Sequence, residues 1–303
     1  LRPFQFCNLT EVVVRETDSI KSLESKVSDA TILGTFQSTL TNFKYLRKVW
    51  QNNTEEERLL GVSLTGIMDC PALLGKNSAE LMDKIKQVVI QTNKAWANKL
   101  GIPQSTATTC VKPSGTVSQL TNAASGIHAR HAPYYIRTVR GDIKDPLTQF
   151  LMEKNIPNEP DFNNPSNTVV FSFPFKSPSK AVCRKDMTAI EQLHLWKSVS
   201  DHWCEHKPSI TVSVQEHEWV RVGNWCYENF DCLSGISFLP FSDHSYRQAP
   251  YQDCTVEAYD KLVKEMPKQI NWSEFDTYEK EDNTTASQEL ACTAGVCEVV
   301  DIT

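Results

Sequence analysis

The chain has 303 residues, a formal net charge of −6, 40% hydrophobic and 22% charged residues. These proportions exclude a disordered or fibrous chain, and the acidic balance leaves no global basic surface for nucleic acid or an anionic membrane. No apolar run approaches the roughly 18 residues a bilayer span requires, and Leu1 in place of an initiator Met predicts a piece of a longer chain.

Residues 19–50 carry a long helical pattern. Ile20, Leu23, Val27, Ala30, Thr31, Leu33 and Gly34 keep one face, and Leu40, Phe43, Leu46 and Val49 continue it. The run at 61–67 is short and partly β-branched between polar stretches, which predicts a buried strand. An amphipathic helix follows, with Leu81, Ile85, Val88, Val89 and Trp96 on one stripe. Residues 106–111 read as a strand from which Lys112-Pro-Ser-Gly-Thr-Val-Ser118 turns into a helix start. Later come a strand at 167–173 and a helix at 186–203 with Asp186 as its N-cap. Its apolar face carries Ile190, Leu193, Trp196 and Val199. A strand at 210–214, a helix around 219–230 and a strand at 235–239 complete the alternation. Strands alternating with long helices predict an α/β architecture, barrel or open sheet. The chain turns more polar after 242–251, which sets the expected boundary there.

Ten cysteines, at positions 7, 70, 110, 183, 204, 226, 232, 254, 292 and 297, are too dilute for a secreted disulfide scaffold and lack the paired CxxC spacing of zinc sites. Most therefore read as small buried hydrophobes in a reducing, cytoplasmic setting. Cys292 and Cys297 differ, lying near the chain end after a polar stretch, with Gly295 between them. That leaves two readings open: a movable redox arm, or two incidental cysteines in a frayed tail. Residues 112–118 have the ingredients of a phosphate-binding turn, since hydroxyls and a flexible Gly precede a helix, although such turns are more often simple caps. His128 and His131, and the stretch Asp201-His-Trp-Cys-Glu-His206, have ligand types for a metal but read better as structural or surface polar residues.

Six stretches together resemble the class II, adenosylcobalamin-dependent ribonucleoside-triphosphate reductases of the monomeric type. They are Phe6-Cys-Asn-Leu-Thr-Glu-Val12, residues 30–42, residues 60–67, residues 112–118, residues 126–140, and 235–240 with Tyr246-Arg-Gln-Ala-Pro-Tyr251. The resemblance implies the second half of a ten-stranded α/β barrel over 1–248, a C-terminal extension over 249–277, and a flexible redox tail over 278–303. It implies that Cys7 is an active-site redox thiol, that Cys292 and Cys297 are a shuttle pair reduced by thioredoxin, and that Pro113, Ser114, Gly115, Thr116 and Val117 hold substrate phosphates. It further implies adenosylcobalamin as cofactor, a ribonucleoside triphosphate as substrate, and a monomer. The radical cysteine, the second substrate-reducing thiol and the dNTP effector site would all lie upstream, so the chain alone is expected to be inactive. Two alternatives stand beside this: a class I diphosphate reductase fragment, and a nucleotide-binding module without catalysis.

Overall fold

A computed structural model describes residues 1–241 and 247–279; Cys292 and Cys297 lie outside the described residues. The first half contains β1 (Asn8–Val13), α1 (Ile20–Gln37), α2 (Lys48–Glu57), β2 (Leu60–Thr65), α3 (Pro71–Leu74), α4 (Ser78–Leu100), β3 (Thr109–Cys110) and α5 (Val117–Leu120). Then follow β4 (Tyr134–Asp142), α6 (Pro146–Glu153), β5 (Asn158–Pro160), β6 (Thr168–Lys176), α7 (Ala189–His202), β7 (Ile210–Val214), α8 (Trp219–Glu228), β8 (Ile236–Pro240), β9 (Tyr251–Asp253) and α9 (Val256–Glu265). Among the described residues no helix is long and apolar enough to cross a membrane.

The chain packs as two units. One unit comprises Leu1–Arg130 and Lys180–Phe241. Its strands all pair in parallel, in the orders β1-β2-β3 and β7-β8. Parallel strands need helices on their faces, which explains why all six residues of β2 are buried and why its sequence does not alternate. The Ser209 N–H donates to the Val111 carbonyl at 3.1 Å, so the chain entering β7 runs beside the end of β3. His128 adds a second tie in the same unit. Its Nε2 accepts from the Thr211 N–H at 3.0 Å, so its Nδ1 carries the proton and donates to the Ser125 carbonyl. Burial pushes that imidazole below its ordinary pKa, in keeping with a neutral ring.

The core of this unit joins Leu23 and Val27 of α1, Ile85 and Val89 of α4, Leu193, Trp196 and Val199 of α7, and Val212 and Val214 of β7. Between α1 and α4 runs a buried polar seam. The Thr31 and Thr35 hydroxyls donate back to the Val27 and Thr31 carbonyls, and Asn93 donates to both Thr35 and Ser105 at 3.0 Å. Ser105 N–H returns a bond to the Asn93 carbonyl oxygen, so the seam is closed on itself.

The second unit takes His131–Ser179 together with residues 247–279. It is antiparallel, in the order β5-β6-β4-β9, over a small core of Ile156, Val169 and Phe171. Because β9 pairs with β4, Tyr251–Asp253 lie beside Tyr135–Arg137.

Several local expectations change. The pattern at 19–50 does not make one helix: α1 stops at Gln37, and Leu40 and Tyr45 are 72% and 98% exposed. Hydroxyls terminate it, since Ser38 and Thr39 donate their side chains to the Thr35 and Phe36 carbonyls. Helix α7 is capped by Thr188, not Asp186. Thr188 and Glu191 form a reciprocal capping box, while Asp186 accepts from the Cys183 N–H. The helix start after residue 112 is a single turn, α5.

A buried ion pair closes the first unit. Arg130 and Asp69 side chains are each 2% exposed, and the guanidinium donates Nε and Nη2 to the two carboxylate oxygens at 2.8 and 2.7 Å. Asp69 also accepts from the Ala124 N–H, and Arg130 donates to the Asn122 side chain and carbonyl. Removing one partner strands the other charge in a dry interior. Asp69→Ala should therefore cost about 3–5 kcal/mol of unfolding free energy, measured as a fall in urea midpoint; a loss under about 1 kcal/mol would show that Arg130 finds water.

Candidate functional site

Cys7 lies one residue ahead of β1, where Asn8 N–H and its side-chain amide both bond the Leu59 carbonyl and fix the strand's entry. Beside it, in β2, is Gly61. A Cβ built there would meet Leu9 Cδ2 at 2.3 Å, Cys7 Sγ at 3.1 Å and Cys110 Sγ at 3.2 Å. The missing side chain is thus the space in which two thiols approach one backbone position. Burial pushes Cys7 up to about 11 and Cys110 up to about 12, and the nearness of Cys7 adds to the rise at Cys110. Cys204, at 9% exposure, is raised further by burial and then by Cys110. Lys112 works against burial at all three thiols; its ammonium is held by the Lys207 carbonyl at 3.1 Å. The eight cysteines among the described residues are all free thiols.

A cavity of about 230 Å³ opens next to Cys7, lined by Phe6, Gln37, Leu40 and Phe43 among others. Phe6 stacks obliquely on Phe43 and Trp50 at 4.8 and 4.7 Å between ring centres, which gives the mouth an aromatic wall.

The loop at 113–117 follows β3. Pro113, Gly115, Thr116 and Val117 are exposed, whereas Ser114 is buried. The backbone N–H groups of Gly115, Thr116 and Val117 make no hydrogen bond among the described residues. Ser114 is already occupied: its hydroxyl donates to Glu11 at 3.0 Å and accepts from the Ser118 N–H at 3.0 Å. Glu11 is half-buried on β1, and that burial raises its carboxyl while the Ser114 bond opposes the rise. The loop therefore offers an anion its unbonded amides and the Thr116 hydroxyl rather than Ser114. With only one turn behind it, the helix dipole adds little.

Among the sequence-derived site residues, Cys7 and the 113–117 loop belong to one unit and are linked through Glu11 and Cys110, whose thiol is raised by both Cys7 and Glu11. The residues that reasoning from sequence missed are Gly61, Cys110, Glu11 and His206. Cys110 lies two residues ahead of Lys112-Pro-Ser-Gly-Thr116, and His206 ends the stretch 201–206 that drew notice only for its metal-ligand types. The stretch 201–206 is a polar surface only in part: Asp201 and Glu205 are exposed, the latter accepting from the Thr108 N–H and hydroxyl, while Trp203 and Cys204 are buried. Among the described residues no three His, Cys, Asp or Glu side chains are grouped to hold a metal.

No protein-family model matches the chain. It is 24% identical over 298 residues to an adenosylcobalamin-dependent ribonucleoside-triphosphate reductase of Lactobacillus helveticus, covering 87% of this chain and 39% of the relative. The same-named protein of Euglena gracilis is 26% identical over 280 residues, covering 90% and 37%. The chain thus spans about two fifths of the length of the curated relatives it matches. Among solved structures, a B12-dependent class II ribonucleotide reductase superposes with a TM-score of 0.77 at 22% identity, covering 94% of this chain and 43% of that one. The α/β fold is accordingly that of the reductase structure.

Gly61→Ala is expected to lower stability by about 1–3 kcal/mol through overpacking against Leu9 and the two thiols. Gly115→Ala, with nothing within 4 Å of a new Cβ, should be nearly neutral in the same denaturation assay. A pH effect follows as well. Folded thiols raised above 9.0 keep their protons when the unfolded chain has lost them, so stability should fall as pH rises from 9 toward 11. That fall should be shallower in Cys7→Ser, and an equal slope in the two proteins would remove Cys7 from the account.

Proposed function

We propose that the chain supplies the thiol-bearing and phosphate-binding part of an adenosylcobalamin-dependent ribonucleoside-triphosphate reductase. The observation that carries this reading is the continuous similarity over 87% and 90% of the chain to two reductases so named, together with the shared fold over 94% of it. A free Cys7 thiol and a loop of unbonded amides in the same unit fit the same reading.

In the reaction, the ribose 2′-hydroxyl leaves as water and a hydrogen takes its place, while two thiols surrender two electrons and join as a disulfide. Cys7 would be one of those thiols; its partner and the thiyl-radical cysteine would come from sequence beyond these 303 residues. The amides of Gly115, Thr116 and Val117, with the Thr116 hydroxyl, would hold the triphosphate, and Pro113 and Ser114 would fix the turn that presents them. Cys292 and Cys297 would return electrons to the Cys7 disulfide from a dithiol such as thioredoxin, and dNTP effectors would act through the upstream part. Adenosylcobalamin, the cofactor in the relatives' names, would supply the radical chemistry.

The test is made in the longer protein. Cys7→Ser should abolish deoxynucleotide formation while leaving triphosphate binding intact. Thr116→Val should raise the Michaelis constant several-fold with little effect on thermal stability, as expected for losing one hydrogen bond of about 1 kcal/mol. Cys292→Ser should stop turnover with thioredoxin but not with a small dithiol that reaches Cys7 directly. Equal loss with both reductants would contradict the shuttle, and full activity of Cys7→Ser would end the proposal.

A further inference from the structure

His206 sits where the chain leaves α7 and returns toward β7. Its own N–H donates to the Thr109 carbonyl at 2.9 Å, so the residue's backbone is tied to β3. Its Nε2 is 2.7 Å from the Leu60 carbonyl and 3.9 Å from Cys7 Sγ. A carbonyl only accepts, so Nε2 carries the hydrogen. One N–H therefore lies between two acceptors of unequal strength. A neutral thiol is a weak acceptor at a long distance, and the carbonyl takes the bond. A thiolate is a charged acceptor and competes for it.

We infer that His206 is a positioning residue for Cys7, its Nε2–H turning from the Leu60 carbonyl to the Cys7 sulfur whenever that sulfur carries charge. The inference rests on reading Cys7 as a redox thiol and adds a specific moment to it. When a dithiol reductant attacks a disulfide at Cys7, the attacking thiolate bonds to the partner sulfur. The old S–S bond breaks, and its electron pair stays on Cys7. The new thiolate forms in a half-buried place where burial opposes charge. The His206 N–H meets it there without surrendering a proton, and the sulfur is later protonated from water. Other charged or titratable groups facing these two residues are Lys112, Cys110, Glu205 and the chain's amino terminus. Lys112 acts from the β3 side, and its ammonium is committed to the Lys207 carbonyl and Ser209 hydroxyl. Among the described residues, His206 alone is placed with an N–H within sulfur hydrogen-bond reach of Cys7.

The experiment needs no turnover. Cys7 in the 303-residue chain is alkylated with iodoacetamide between pH 7.5 and 9.5 and quantified by peptide mass spectrometry, with exposed Cys232 as internal reference. Losing the donor should raise the Cys7 pKa by about one unit, so His206→Leu should slow Cys7 about tenfold relative to Cys232 along the rising limb. His206→Gln, which keeps an N–H at similar reach, should restore most of the rate, and the shorter His206→Asn should not. The Gln and Asn pair decides the matter even where the Leu variant fails to fold. A Cys7 rate unchanged or faster in His206→Leu or His206→Asn, with only a lowered melting temperature, overturns the inference. Failure of the redox reading shows separately, as an active Cys7→Ser protein.

Discussion

A carboxylate and a guanidinium, each 2% exposed, face one another at the end of β2, and much of the first unit is arranged around keeping them satisfied. Asp69 follows the end of β2 and gathers the Ala124 amide, while Arg130 gathers Asn122 twice. The residues they hold, 122–130, come after the 113–118 loop and include His128, whose ring ties the segment to β7. The pair is thus less a source of net stability than a condition on shape, since neither charge tolerates a conformation in which the other has moved. Loop, β2 end and β7 start are fixed together as a result.

Upstream of that pair the same strand does something different. At Gly61, β2 contributes no side chain, and the volume is shared by the sulfurs of Cys7 and Cys110. Burial that protects these thiols also makes them poor nucleophiles, since each stays protonated well above neutral pH. A redox role for Cys7 then depends on local help from Lys112 and from donors such as His206, which trades reactivity at rest for reactivity when charge appears.

What the sequence made legible follows from how each signal is encoded. Strands β2 and β7 and helices α4 and α7 were readable because burial imposes period and composition directly on contiguous residues. The break after Gln37 was not, because the apolar residues beyond it keep the helical spacing while hydroxyls end the helix and Leu40 and Tyr45 face water. Strand β4 fell within the stretch 126–140 quoted for the family resemblance, and its pairing with β6 and β9 is a long-range fact no local pattern carries. At the site, Cys7 emerged through family resemblance, and the 113–117 loop through its hydroxyls and Gly ahead of a helix as well as through that resemblance. Gly61, Glu11 and His206 did not, since each matters only through a neighbour 50 or more positions away.

The seam between α1 and α4 has a consequence of its own. Two helices meeting through aliphatic side chains alone can slide or rotate by a turn at small cost, because one methyl group replaces another. Asn93 donates across to Thr35 of α1 and to Ser105 and accepts from the Ser105 N–H, so slippage would leave its amide facing hydrocarbon. The seam behaves as an index mark. It holds one angular setting of α4 against the helix that follows β1.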